Sequence, residues 1–249
     1  MLKKVIGKIH RADMDYQMIQ NGDRIAVGVS GGKDSIVLLY ALYLYRHFAR
    51  LHAHKYFEIV GIHLEMGFPD MDIHEVDDFA QKQGIELHHV PTRIFSILQQ
   101  YPTKSGQLSC ARCSQLKKGA MIKAAKELNC TKTSFAHHGD DAVETLFMNM
   151  IYGGRLATFA PIMHLTRSHM TFIRPLIYCH EQEIQDTAIQ CSLPIVSSSC
   201  PNAGHTARQE MKETLQCLYE KFPDARHNFL LSLHNMKQVR LFKNEENDL

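Results

Sequence analysis

Six residues constrain this chain more than any others: Ser30, Gly31, Gly32, Lys33, Asp34 and Ser35. They lie between residues 24–29 (RIAVGV), a β-branched run that fits a buried strand, and residues 34–48, an apolar-periodic run that fits a helix. A glycine-rich turn there is where a doubly wound sheet holds phosphate. Glycines let the backbone approach the ligand, and the helix N-terminus offers unpaired N–H groups and a positive dipole end. Asp34 and Ser35 fall in the first helical turn, where capping residues are favoured. The hexapeptide is neither G-x-x-x-x-G-K-[ST] nor G-x-G-x-x-G, so the usual ATPase and dehydrogenase readings lose support.

The alternation continues along the chain. Residues 57–64 (FEIVGIHL) read as a second strand, 73–83 as a helix closed by Gly84, and 85–90 as a third strand ended by Pro91. After an irregular stretch, 115–128 has helical character, 131–136 strand character, 140–152 reads as a helix stopped by Gly153 and Gly154, and 171–173 as a strand. Strands alternating with helices predict an α/β fold with a doubly wound parallel sheet and right-handed crossovers. Residues 181–190, 205–222 and 224–239 predict a helical C-terminal region. The 249 residues suffice for one large domain or a core domain with a small appendage, and no linker separates independent domains.

Hydrophobic residues at 45% and charged residues at 22% exclude the disordered and fibrous classes. The longest apolar run, 36–45, falls well short of the roughly 20 residues of a membrane span. The first residues lack the apolar stretch of a signal peptide, so a cytoplasmic protein with no membrane partner is expected. The net charge of +2 does not announce a nucleic-acid partner, but its distribution is uneven. Residues 87–126 carry seven Lys or Arg and no acid, where the chain average would place about four acids. Such asymmetry supports an anionic partner and also fits a solvated basic face.

A second constellation is AHHGDDAVET, residues 136–145, which follows a candidate strand and opens a helix. Asp140 and Asp141 stand four and three residues before Glu144, so the carboxylates can share a helix face, at a cost unless a cation joins them. Carboxylates at a helix start also simply favour the dipole. Mg²⁺ held by one or two carboxylates plus phosphates would suit a site opposite the glycine turn.

Seven cysteines in a chain without secretory features argue against a disulfide framework. Cys110 and Cys113 form the one C-x-x-C, and Cys200 follows much later in a polar segment. Cys130, Cys179, Cys191 and Cys217 read as buried small hydrophobes. Spacing leaves an iron–sulfur cluster, a zinc completed by His, and a redox dithiol open.

SGGKDS after a strand resembles the PP-loop of the ATP-pyrophosphatase superfamily, which splits ATP between the α and β phosphates. In that resemblance Ser30, Gly31, Gly32 and Ser35 cradle phosphate, Lys33 offsets its charge, and Asp34 organises the loop or Mg²⁺. The 136–145 segment resembles the H-x-x-D-D-x-x-E-T motif of PP-loop enzymes acting on tRNA. CARCSQLKKG, HHGDDAVETLFMNMIYGG, IRPLIYC and a lone late Cys, in that order, resemble the tRNA 2-thiocytidine synthetase family over residues 1–240.

The resemblance implies a PP-loop domain over 1–200 and a helical extension over 201–249. It implies a [4Fe–4S] cluster on Cys110, Cys113 and Cys200, and ATP·Mg²⁺ that adenylates the C2 carbonyl of cytidine 32 of tRNA before sulfur displaces AMP. A homodimer and a sulfur donor, free sulfide or a cysteine desulfurase, are further implications. Asp141, with Asp140 or Glu144, would position Mg²⁺, and the adenine would lie against the backbone around His63. Arg112, Lys117 and Lys118 would meet RNA phosphates, with the target base taken out of its stack. The competing readings are a PP-loop ligase that admits an amine, which has no use for the cysteines, a thiolase for another RNA position or a small molecule, and a non-enzymatic ATP or iron–sulfur sensor. The complete phosphate loop with its carboxylates argues against the sensor.

Overall fold

The computed structural model describes residues 1–69, 71–103, 106–197, 199–202, 204 and 206–241. Six strands form one sheet in the order β3-β2-β1-β4-β6-β5: β1 (Arg24–Gly28), β2 (Glu58–Glu65), β3 (Leu87–Pro91), β4 (Lys132–Ser134), β5 (Ile162–Leu165) and β6 (Met170–Ile173). β1 pairs in parallel with β2 on one side and β4 on the other, with Val27 opposite Gly61 and Ser134. The chain order therefore reverses between β1 and β4, and ligands of doubly wound sheets bind outside the strand C-termini at such a point.

The central strands β2, β1, β4 and β6 are largely buried, as strands covered on both faces require, while the edge strands β3 and β5 are only half-buried. Successive side chains alternate between two cores. On β1, Ile25 and Val27 join a core with Ile36, Leu39 and Ile184, while Ala26 joins one with Val60, Met121 and Phe172. The first core packs under α1 (Leu2–Tyr16), α2 (Lys33–Ala53) and α7 (Glu181–Gln190), and the second under α5 (Cys110–Glu127). The remaining described helices are α3 (His74–Gln83), α4 (Ile94–Gln100), α6 (Gly139–Gly153), α8 (Ala207–Lys221) and α9 (Ala225–Ser232). No helix among the described residues is long and apolar enough to cross a membrane.

Several expectations are corrected. The sheet is not wholly parallel: β5 runs antiparallel to β6, with Met163 opposite Phe172. Its four residues are too few for a periodicity signal, and the turn at 166–169, where His169 adopts φ +51°, makes the hairpin. The highly charged N-terminus is a helix because Val5, Ile9 and Ala12 form a buried stripe at helical spacing. Helix α5 begins five residues earlier than residue 115, since Ser109 Oγ caps it by accepting from Arg112 N at 3.3 Å. Helix α2 runs on to Ala53 instead of ending at residue 48. His205, which opens the second expected C-terminal helical stretch, lies outside the described residues; α8 starts after Thr206, whose Oγ1 accepts from Gln209 N. Cys130 and Cys179 are buried, but Cys191 is only half-buried and Cys217 is exposed on α8.

The C-terminal helices dock on α6. Val143 of α6 is buried with Met211 and Leu215 of α8 and Leu230 of α9, and Phe147 packs on Phe229 at a centroid distance of 5.0 Å.

Candidate active site

The turn after β1 is built as a cradle. Gly31 has φ +85°, and a Cβ there would stand 3.2 Å from the Val196 Cβ, so only glycine fits. Gly32 has ordinary extended angles and is the N-cap of α2, where no side chain caps the helix. Ser35 Oγ accepts from Ser30 N at 3.1 Å and donates to the Gly32 carbonyl at 2.8 Å, which locks the loop without covering the first N–H groups of α2. One carboxylate oxygen of Asp34, Oδ1, is buried outside any hydrogen bond, with Lys33 Nζ 3.1 Å away. An uncapped helix N-terminus with an ammonium and an unsatisfied carboxylate oxygen fits a phosphate with its cation.

His63 sits on β2 beside this turn. It is buried, its Nδ1 donates to the Val29 carbonyl at 2.9 Å, and burial pushes the imidazole below its usual range, so the ring is neutral. This places the His63 backbone at the strand end next to the cradle.

The three acids of α6 separate into two roles. Asp140 Oδ2 accepts from Glu181 N at 2.6 Å and so caps α7; burial pushes the carboxyl up, but His180 and the Glu181 N–H outweigh it and hold it at about 2. Asp141 closes a capping box with His138, its Oδ2 accepting from His138 N at 2.9 Å. Asp141 and Glu144 then share Arg208 of α8, at 3.5 Å and 3.0 Å from its Nη1. Burial, followed by the neighbouring Asp141 charge, raises the Glu144 carboxyl. A cation does join two of the like charges, as the sequence demanded, but it is an arginine from 64 residues further on.

Lys33 is held in turn by Glu181 at 3.0 Å, and Glu181 also takes Lys212 at 2.6 Å. Lys33, Asp140, Glu144, Glu181, Lys212 and Arg226 line a cavity of about 430 Å³. Arg208, Lys212 and Arg226 were invisible to motif reading, since basic residues on an amphipathic C-terminal helix carry no local signature.

Two further groups lie within the quoted motifs but were given no role there. Arg174, directly after β6, is 3% exposed, has a buried Nε without a partner and rests over the Phe159 ring at 4.8 Å; burial lowers its guanidinium to about 10. His137 is half-buried beside it with a buried, unpartnered Nδ1, and desolvation lowers it to about 4. The strand-ending Arg174-Pro175 pair was the available signal.

Cys110 and Cys113 lie in the first turn of α5, and Cys200 lies in the segment before α8. Burial pushes the Cys113 thiol up, Lys117 opposes this, and Cys200 and Cys110 are near enough to push it further. Among the described residues no three His, Cys, Asp or Glu side chains converge as a single-ion cage. The segment leading to Cys200 lies on the phosphate turn: Val196 N donates to the Gly31 carbonyl at 3.0 Å, and Ser199 Oγ contacts Met71 Sδ at 3.8 Å. Arg112, Lys117 and Lys118 are exposed on α5, with Arg112 donating to the Tyr101 carbonyl at 2.8 Å and stacked on its ring.

Fold and cradle together define a class, and a family model described as a PP-loop domain matches residues 2–199. Relatives named tRNA-cytidine(32) 2-sulfurtransferase share 38% identity in Pelobacter propionicus, over 94% of this chain and 85% of theirs, and 35% in Geobacter sulfurreducens, over 94% and 90%. The chain belongs to this family of PP-loop enzymes, and it is a transferase. The U34-tRNA thiolase of Methanococcus maripaludis, solved with its [4Fe–4S] cluster, shares the fold at a TM-score of 0.74 with 20% identity, over 96% of this chain and 80% of that one.

Proposed function

We propose that this chain is an ATP-dependent tRNA thiolase that replaces the C2 oxygen of a cytidine, at position 32, with sulfur. One observation carries the reading: the segment bearing Cys200 is hydrogen-bonded to the phosphate turn at Gly31, so three thiols and the nucleotide cradle share one end of the sheet. The names of the 32–38% identical relatives support the substrate.

In this mechanism the first N–H groups of α2 and the Ser30 and Ser35 hydroxyls bind the ATP phosphates, and Lys33 leaves Glu181 to neutralise them. Asp141 and Glu144 would hold Mg²⁺ in place of the Arg208 guanidinium, and the ion would neutralise charge that develops on the pyrophosphate, while Asp140 keeps its place as the cap of α7. The backbone beside His63 receives the adenine. The cytidine C2 oxygen attacks the α-phosphorus, the bond to the β-phosphate breaks and pyrophosphate leaves. Sulfur then adds at C2, and AMP departs with the original oxygen.

Cys110, Cys113 and Cys200 fit a [4Fe–4S] cluster, because each thiolate meets a different iron and convergence on one point is not required. Bound on three cysteines, the cluster would supply one iron without a protein ligand as a place for sulfide. The cationic face of α5, with Arg112, Lys117 and Lys118, holds RNA phosphates beside the thiols. Residues 1–200 act as the catalytic domain and 201–249 as the extension that brings Arg208 to it. The working form is a homodimer fed by free sulfide or a cysteine desulfurase.

The test is nucleoside mass spectrometry on tRNA incubated with anaerobically reconstituted protein, ATP·Mg²⁺ and sulfide, beside a Cys113→Ser control. A 2-thiocytidine peak absent from the control is expected. A different thionucleoside would refute the position, and no sulfur incorporation with a loaded cluster would refute the activity.

A further inference from the structure

The cysteines of this site come from two segments far apart in the chain, and something must fix their separation. Residues 199–202 enter from the phosphate turn, and Pro201 restricts the backbone directly after Cys200. Asn202 follows. Its side-chain amide carries two N–H donors on one nitrogen. Nδ2 stands 2.8 Å from the Leu108 carbonyl, just before the cap of α5, and 3.6 Å from Cys110 Sγ, within hydrogen-bond reach for sulfur. The link spans 92 residues of sequence and joins the second residue after one cysteine to the sulfur of another.

We propose that Asn202 is a positioning residue for the cluster: it ties the Cys200 segment to the start of α5 and donates an N–H to Cys110 Sγ. This rests on the cluster reading given above. Reduction of a cluster adds negative charge that spreads onto the cysteine sulfurs, and an N–H dipole aimed at one of them stabilises the reduced form more than the oxidised form. Asn202 therefore raises the reduction potential, and as a tether it keeps Cys200 within bridging distance of Cys110 before any cluster is present.

Two variants of the full chain separate these effects. Asn202→Leu keeps the volume and removes the donors, and Asn202→Asp keeps the shape and puts a negative charge beside the sulfur. After anaerobic reconstitution with ferrous iron and sulfide, both variants are expected to carry wild-type iron and sulfide. Their midpoint potentials in a titration followed by electron paramagnetic resonance are expected to move negative, further for Asp than for Leu. Unchanged potentials in fully loaded variants overturn the donor role.

The tether is read without a cluster, as the yield of a Cys110–Cys200 cross-link formed by a short bis-maleimide in apo-protein. A several-fold loss in the Leu variant is expected, and a wild-type yield overturns the tether. A wild-type chain that takes up no cluster overturns the cluster reading and the donor role with it, while the cross-link still decides the tether.

Discussion

At Gly31 a backbone torsion and a packing contact make the same demand. An alanine there would have to hold φ +85° while its Cβ meets the Val196 Cβ at 3.2 Å. The left-handed conformation alone costs about 1–2 kcal/mol for a residue with a Cβ. Gly31→Ala is therefore expected to lower the melting temperature by several degrees and to abolish ATP binding in calorimetry, because relief requires the turn to open; wild-type ATP affinity would contradict the cradle. Gly32 has no such strain, so Gly32→Ala should be the milder change in both measurements. Glu183 gives a pH prediction. Burial pushes its carboxyl up, but Lys4, Lys8 and the His180 N–H prevail and hold it at about 2 against an ordinary 4.5. A carboxyl depressed in the folded state stabilises fully above 4.5, and the contribution is lost as pH falls toward 2. It amounts to about 3 kcal/mol at most. Glu183→Gln should therefore flatten the acid limb of stability between those values, as read by urea unfolding at a series of pH values.

Among the elements, the short strands β4 and β6 are held by buried aromatic packing. β4 and β6 have three and four residues, yet Phe172 is 1% exposed and meets Phe135 edge-on at 4.9 Å. Phe172→Ala removes this pair and leaves a cavity in the core under α5, at a cost of about 3–5 kcal/mol in urea unfolding. A loss below 1 kcal/mol would mean that the α5 face repacks freely. The strand was legible from its apolar run before Pro175, whereas its partner β5 was not, because pairing across a hairpin depends on a turn and on what the neighbour exposes. The same holds for the start of α5. Ser109 before Cys110 is a good cap in sequence, but glycine and polar residues lie upstream, and it is the packing of α5 on β2 and β4 that sets where the helix begins.

On the scale of the whole molecule, the C-terminal helices both complete the core and close the site. Leu215 is buried against α6, and Arg208 of the same helix reaches Asp141 and Glu144. Leu215→Asp buries an unpaired carboxylate and should detach α8. The expected result is a polydisperse protein by light scattering that has also lost nucleotide binding. A monodisperse variant with normal ATP affinity would show that α8 is dispensable to the site.

The sequence by itself determined the phosphate turn, the alternation of strands and helices, the acidic start of α6 and the two-plus-one cysteines. Each of these is read from residue types and their spacing along the chain, with no knowledge of which side chains meet. Only the tertiary structure decided that Asp140 serves α7 while Asp141 and Glu144 share Arg208, that Asn202 reaches Cys110, and that the Cys200 segment lies on Gly31. Those contacts join residues dozens to more than a hundred positions apart, and their partners are chosen by how the helices dock on the sheet. A charged or amide side chain on an amphipathic helix looks the same in sequence whether it faces water or completes a site.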